Sequence, residues 1–367
     1  MNSIAIVGSG PSGCFLAEIL AMKLPKVRID IYERLPFPFG LAVTGVAPDH
    51  LHTRKITEQF QRTLDRPEVN LICNTEIGSD IPYAELKSSY DRVIFAVGAA
   101  QDRKMGIPGE SLMGVYGSGV FTRWYNSHPE SRQIHPVIGK KIGIIGNGNV
   151  ALDIARVISK TPQEHHESDL SPKIREILAL SHIEEVHILG RRGPAEASFA
   201  LAELAELENL KQVAIHLCKE ELKDINLDSL PMSQQKMVRQ LHHFTELNPT
   251  TPKKIQLYFH FHSTPRVIEG NNSVERLIVE RAQTGQMTAL ELDTLITAIG
   301  YQTSPIPDVP YDETKKRFHH QDSMIEPGVY CVGWCQRGPQ GVIPTNRSEA
   351  MNLARKIIKE LESVNVN

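Results

Sequence analysis

The sequence predicts an α/β fold with two doubly wound, mainly parallel sheets in three-layer units, the second unit inserted into the first. Three observations carry this. The stretches "SIAIVGSGPSGCFLAEIL" and "KKIGIIGNGNVALDIARVISK" each run from an apolar, β-branched segment through a glycine turn into apolar residues at helical spacing. A further strand follows each, "RIDIYER" and "EVHILGRR". That makes two βαβ units, and such a crossover requires parallel pairing. Three later apolar runs, "RVIFAVGAA", "TLITAIGY" and "GVYCVGW", end in Gly98, Gly300 and Gly333. Strands ending in this way let the backbone approach a ligand closely at the C-terminal edge of a parallel sheet.

Along the chain, the first glycine unit leads into "ERLPFPFGLAVTGVAPDH", and the second opens near residue 141. "SPKIREILALSH" reads as a helix, as does the more polar "SQQKMVRQLHHFTEL". "KIQLYFHFHS" and "SVERLIVERA" alternate, which predicts antiparallel strands with one wet face. "PTNRSEAMNLARKIIKEL" predicts a closing helix with Pro344 at its favoured first position. Residues 1–102 with 325–367 are expected to form one nucleotide-binding domain and 103–324 the other.

Composition narrows the function. With 367 residues, 41% of them hydrophobic, the chain can bury two substantial cores. Its net charge of -3 gives no basic field for nucleic acid. Five scattered cysteines without CxxC spacing argue against a disulfide framework or a zinc site and for a reducing compartment. Apolar runs are strand-sized and a strand begins at once, so a cytoplasmic protein with neither leader nor membrane segment is expected. Local lysine and arginine clusters read as solvated faces. No metal site is expected: His165/His166, His242/His243 and His319/His320 are adjacent pairs that do not share a face and read as surface residues, while His260 and His262 share a strand face but lack a third ligand.

Gly8, Gly10 and Gly13 spell GxGxxG between strand and helix, with Pro11 and Ser12 opening the helix and Glu33 ending the next strand. The glycines permit a tight turn and close approach of a pyrophosphate to the helix N-terminus, and the glutamate can accept both ribose hydroxyls. The second copy, Gly146, Gly148 and Ala151, lacks the acid and has Arg191 and Arg192 after its strand. Two guanidiniums suit a ribose 2′-phosphate, so NADP(H) is expected there in preference to NAD. Two sites in one chain then imply a flavin, FAD, held through its ADP half, and a nicotinamide that delivers hydride to it.

The sequence resembles the adrenodoxin-reductase-like ferredoxin–NADP reductases of the glutathione-reductase superfamily. "VGSGPSG", "IYERLPFPFGLAVTGVAPDH", "IPGE", "GNGNVALDIAR", "GRRGPAEASFALAEL" and "GWCQRGPQGVI" carry the resemblance from the first residues to about Leu361. It implies that Ser12, Glu33, Leu41, Ile77 and Trp334 lie against FAD together with Arg34, Gly40, Gly98, Gly333 and the backbone of Gly341, Val342 and Ile343. It implies that Asn147, Gly148, Asn149, Val150, Arg191, Arg192, Glu203 and Gly341 hold NADP. His50, Asp153 and Glu206 would stand near the nicotinamide and flavin as positioning or proton-managing groups. Independently, Gly341 to Ile343 at the start of the last helix would turn free amides and a positive dipole end toward the flavin.

The expected activity is electron transfer from NADPH through FAD to a small ferredoxin-like iron–sulfur protein, by a monomer, with Lys236 and Arg239 as weak candidates for its docking. The alternatives are a flavoprotein subunit resembling the small subunit of glutamate synthase, whose cysteine-rich leading segment is missing here, and a non-catalytic flavin-binding protein. Cys331 and Cys335 cannot form a CxxC dithiol, which disfavours the disulfide-reductase branch. The chain departs from the family at Val43, where arginine is usual, at Ser12 for alanine, at Pro344 for threonine, in the added proline of "PFPFG", and in lacking the C-terminal extension.

Overall fold

Ile4, Ala5 and Ile6 are wholly buried, as continuous apolar strands of a sheet covered on both faces must be. A computed structural model describes residues 2–24, 26–247 and 252–364. The chain divides into two compact units: Met1–Val46, His50–Gln101 and Tyr301–Asn367 form the first, Ala47–Asp49 and Asp102–Gly300 the second.

The first unit holds a six-stranded sheet in the order Met324–Glu326, Val329–Cys331, Arg92–Phe95, Ser3–Val7, Arg28–Tyr32, Val69–Ile72. All neighbours are parallel except the first two strands. Helix Pro11–Lys23 and the last helix, Ile343–Val364, pack on each other over one face, with Phe15, Leu16, Leu20, Leu353, Ala354 and Ile357 in the shared core. Burying a leucine or phenylalanine there contributes about 1.5–3 kcal/mol.

The second unit repeats the design with six strands, all parallel: Val115–Gly117, Thr294–Thr297, Lys141–Ile145, Glu185–Leu189, Ile255–His260, Val213–Leu217. In each sheet the strand before the glycine turn lies between the next strand of its βαβ unit and a strand from much later in the chain. That is the switch point at which nucleotide folds bind their ligand.

Three sequence expectations are corrected here. Ile255–His260 is a parallel strand of the main sheet, not an antiparallel one. Its alternation is real, but the half-covered face carries aromatic rings, Tyr258 stacked between His187 at 5.0 Å and His216 at 4.7 Å, so periodicity reported exposure and not strand direction. Arg276–Arg281 does lie in an antiparallel sheet, between Ser263–Glu269 and Met287–Glu291. His262 does not share a strand face with His260: the strand ends at His260 and His262 turns with φ 50°.

His165 is not a surface residue but 2% exposed, and its two ring nitrogens have no partner among the described residues. Burial, with Lys160 nearby, pushes its pKa down to about 4 from the ordinary 6.5. The unfolded chain therefore takes up a proton as pH falls through 6.5 while the folded chain does not, so stability is lost over that window. His165→Leu should show a smaller fall in Tm between pH 7 and pH 5 than the parent protein; an equal fall in both would place the acid sensitivity elsewhere.

Candidate functional site

In the first unit Gly8 has φ 106°, and a Cβ there would stand 2.6 Å from the Ala96 carbonyl oxygen. A Cβ on Gly13 would lie 2.1 Å from the Gly8 carbonyl oxygen, so helix and strand approach only because both are glycine. Gly10 by contrast has nothing within 4 Å of its Cβ position, which leaves the turn open where a pyrophosphate would lie. Gly40, at φ 50°, closes against Gly10, and the Phe39 amide donates to the Ser9 carbonyl at 3.0 Å.

Glu33 is buried, and its Oε2 accepts from the Ser9 amide at 3.1 Å and the Ser9 hydroxyl at 2.5 Å, while Oε1 accepts from the Leu35 amide at 2.9 Å. The carboxylate thus braces the glycine turn and keeps acceptor capacity for a ribose hydroxyl, since an ionised carboxylate offers about four sites. Pro11 begins the helix. Ser12, buried beside it, meets Gly333: a Cβ on Gly333 would stand 2.2 Å from the Ser12 hydroxyl, so glycine at 333 leaves room for the serine.

Gly98 is open at φ 69°. Ile77 is buried, Leu41 is 38% exposed, and Arg34 is exposed. His50 stands at the N-cap position of the short helix Leu51–Arg54, without a side-chain cap bond, and is half-buried. Trp334 stacks on Tyr301 with ring centres 6.0 Å apart, and its Nε1 donates to the Gln340 carbonyl, which also accepts from Arg337 Nε at 2.8 Å. This pins the turn into Gly341, at φ 79°. The last helix starts at Ile343, so Pro344 is second and not first in it. The Val342 amide is already taken by the Thr345 hydroxyl at 3.3 Å, while the Val342 side chain is 60% exposed.

In the second unit Gly146 repeats Gly8: φ is 143° and a Cβ would lie 2.2 Å from the Ala298 carbonyl oxygen. Gly148, like Gly10, is open. Asn147 lies across Gly190, and both its amide atoms are buried with no partner among the described residues. A buried amide without a partner is costly, and a bound ligand is one way of satisfying it. The loop after the next strand is tied to this turn: the Ser198 amide donates to the Asn147 carbonyl at 2.7 Å and the Ala200 amide to Asn149 Oδ1 at 2.7 Å. Val150 is half-buried in the first helical turn. Arg191 and Arg192 are exposed, and neither side chain has a partner among the described residues. An open glycine, an unsatisfied amide and two uncommitted guanidiniums fit a phosphorylated nucleotide.

Asp153, Glu203 and Glu206 converge on a residue that the motifs do not single out, Arg156. Its NH2 meets Asp153 at 2.8 Å, and its NH1 meets Glu203 at 3.2 Å and Glu206 at 3.4 Å. Asp49 completes the set, taking Nε at 2.8 Å and NH2 at 3.1 Å while Lys160 bonds it at 2.5 Å. Burial alone would raise the Asp49 carboxyl, but the bonds from Arg156 and Lys160 outweigh it and hold the group well below the usual carboxylate range. The available signal was an arginine on the buried face of "NVALDIARVIS", three residues after Asp153.

Two glycine turns, each at the switch point of a parallel sheet, define a protein of two dinucleotide-binding folds in one chain. The chain belongs to the pyridine nucleotide-disulphide oxidoreductase family, whose model matches residues 2–206. It is 35% identical to the NADPH-ferredoxin reductase FprA of Mycobacterium tuberculosis over 98% of this chain and 84% of that one. It is 31% identical to the mitochondrial NADPH:adrenodoxin oxidoreductase of Arabidopsis thaliana, over 98% and 82%. The solved structure of Mycobacterium tuberculosis FprA in complex with NADPH superposes with a TM-score of 0.94 at 34% identity, covering 99% of this chain and 85% of that one.

Thioredoxin reductase of T. acidophilum shares the fold, with a TM-score of 0.57 at 16% identity. Cys331 and Cys335 are free and buried, and burial pushes the Cys335 thiol up to about 11 and the Cys331 thiol higher still. No helix among the described residues is long and apolar enough to cross a membrane.

Proposed function

We propose that this chain is an NADPH-dependent ferredoxin reductase that holds FAD in the first unit and NADP(H) in the second, and passes electrons to a ferredoxin-like iron–sulfur protein. The contrast between Glu33, buried against its glycine turn, and Arg191 with Arg192, exposed after the second, carries this reading. A carboxylate suits a free ribose and two guanidiniums suit a 2′-phosphate. FAD, when bound, accepts two electrons as hydride and releases them one at a time.

The protein's own residues bind and orient. Gly8, Gly10, Pro11 and Gly13 receive the FAD pyrophosphate at a helix N-terminus, with Ser12, Arg34, Gly40, Leu41, Ile77, Gly98, Gly333 and Trp334 lining its course. The turn Gly341–Ile343, at the start of the last helix, borders the flavin through its backbone. Asn147, Gly148, Asn149, Val150 and Glu203 hold NADP(H), and Asp153, Glu206 and His50 orient the groups that exchange hydride. The two compact units are the two nucleotide-binding domains of this reading, with Tyr301–Asn367 in the FAD domain, so that residues 301–324, expected in the NADP domain, fall to the first unit instead. Five free cysteines suit a reducing compartment, and we place the protein in the cytoplasm as a monomer.

The test is colour and turnover. The purified protein should be yellow, reduce ferricyanide or cytochrome c with NADPH, and reduce the ferredoxins that it retains in pull-down. A colourless protein that ignores NADPH would refute the proposal. His50→Ala should slow flavin reduction by NADPH in stopped flow without loss of the bound FAD, and an unchanged rate would remove His50 from the set that orients the reaction.

A further inference from the structure

Arg156 is 2% exposed, the largest fully buried side chain among the described residues, and its guanidinium meets four carboxylates from three separate segments. Packing alone does not explain it, because a well-packed apolar residue in place of a buried ion pair is often as stabilising. The partners' places in the chain are informative. Asp153 shares the helix Asn149–Ser159, which follows the second glycine turn. Glu203 and Glu206 belong to Leu201–Glu206, which begins directly after the loop that carries Arg191 and Arg192. That loop is tied at Ser198 and Ala200 to Asn147 and Asn149, and beyond Ala200 its continuation is held by the bonds of Glu203 and Glu206 to Arg156.

We propose that Arg156 is a positioning residue for the second nucleotide site: by gripping Glu203 and Glu206 it holds the Gly190–Ala200 loop, and with it Arg191 and Arg192, against the helix of the glycine turn. The inference rests on the reading that the second unit takes NADP(H). Two exposed arginines on an untethered loop would have to be ordered on binding, whereas a loop fixed at its far end is ordered beforehand. Arg156 touches no nucleotide itself; it acts through the loop and through the acids it grips, Asp153, Glu203 and Glu206. The forked geometry matters as well as the charge, since five N–H donors in one plane reach carboxylates on three segments and a lysine ammonium cannot.

The test uses the FAD-loaded protein and adenosine 2′,5′-bisphosphate, which carries the ribose phosphate without the nicotinamide, with binding read by calorimetry. Arg156→Met should weaken its binding about tenfold and raise the KM for NADPH more than it lowers kcat. Arg156→Lys should recover part of the loss, leaving binding about threefold weak; it also decides the matter if the methionine variant does not fold. Asp49→Asn disturbs the same buried network on the side away from the loop, and should lower Tm while leaving adenosine 2′,5′-bisphosphate affinity within about twofold. Unchanged affinity in both Arg156 variants, or a loss of affinity in Asp49→Asn as large as that in Arg156→Met, would overturn the proposal. If the parent protein binds 5′-AMP as tightly as adenosine 2′,5′-bisphosphate, the NADP(H) reading itself fails, a result separable from any behaviour of Arg156.

Discussion

Replacing Arg191 and Arg192 together by alanine should raise the KM for NADPH at least tenfold while leaving the use of NADH almost unchanged. Both side chains are exposed and have no partner among the described residues, so their removal breaks no internal bond and the fold has no reason to respond. A hydrogen bond to a charged group contributes about 1.5–3 kcal/mol, and about 1.4 kcal/mol is tenfold in affinity. Loss of one bond already meets the prediction, and loss of two exceeds it. Steady-state kinetics with both coenzymes is the measurement. Equal losses with NADPH and NADH would mean that the arginines serve the loop and not the phosphate.

Gly13→Ala should cost the protein both its flavin and part of its stability. The new Cβ would stand 2.1 Å from the Gly8 carbonyl oxygen and 3.3 Å from an Ile6 methyl, and backbone cannot rotate aside as a flexible side chain can. Overpacking of this kind costs about 1–3 kcal/mol, and the relief has to come from the turn that receives the pyrophosphate. The variant is therefore expected to purify with a lower ratio of flavin to protein absorbance and a Tm lower by about 5 °C. A yellow protein with unaltered Tm would show that the helix can withdraw from its strand at no cost. The comparison is internal: the second motif carries Ala151 at this position, wholly buried.

Much of this was legible in the sequence, because the signals were local. A glycine turn between an apolar strand and a helix is spelled by adjacent residues, and so are the acid that ends one second strand and the arginine pair that follows the other. What escaped was decided by partners remote in the chain. Alternation in "KIQLYFH" reports that one face of the strand is buried and the other is not, and this holds for either direction of pairing. His165 lies beside His166 in sequence, yet one ring is inside and the other outside. Asp153 and Glu206 could be singled out as acids, but the guanidinium that engages them lies three residues from one and fifty from the other.

By itself the sequence determined the class of fold, two nucleotide turns, and the difference in charge between them, since each depends on a few neighbouring residues whose backbone freedom or charge is intrinsic. Only the tertiary structure decided which side chains those turns exclude, that Ser12 lies against Gly333, and that a buried Arg156 guanidinium gathers Asp49, Asp153, Glu203 and Glu206 around it. Steric exclusion and the pairing of buried charge are properties of distances between atoms far apart in the chain, and those distances exist only once the sheets have formed.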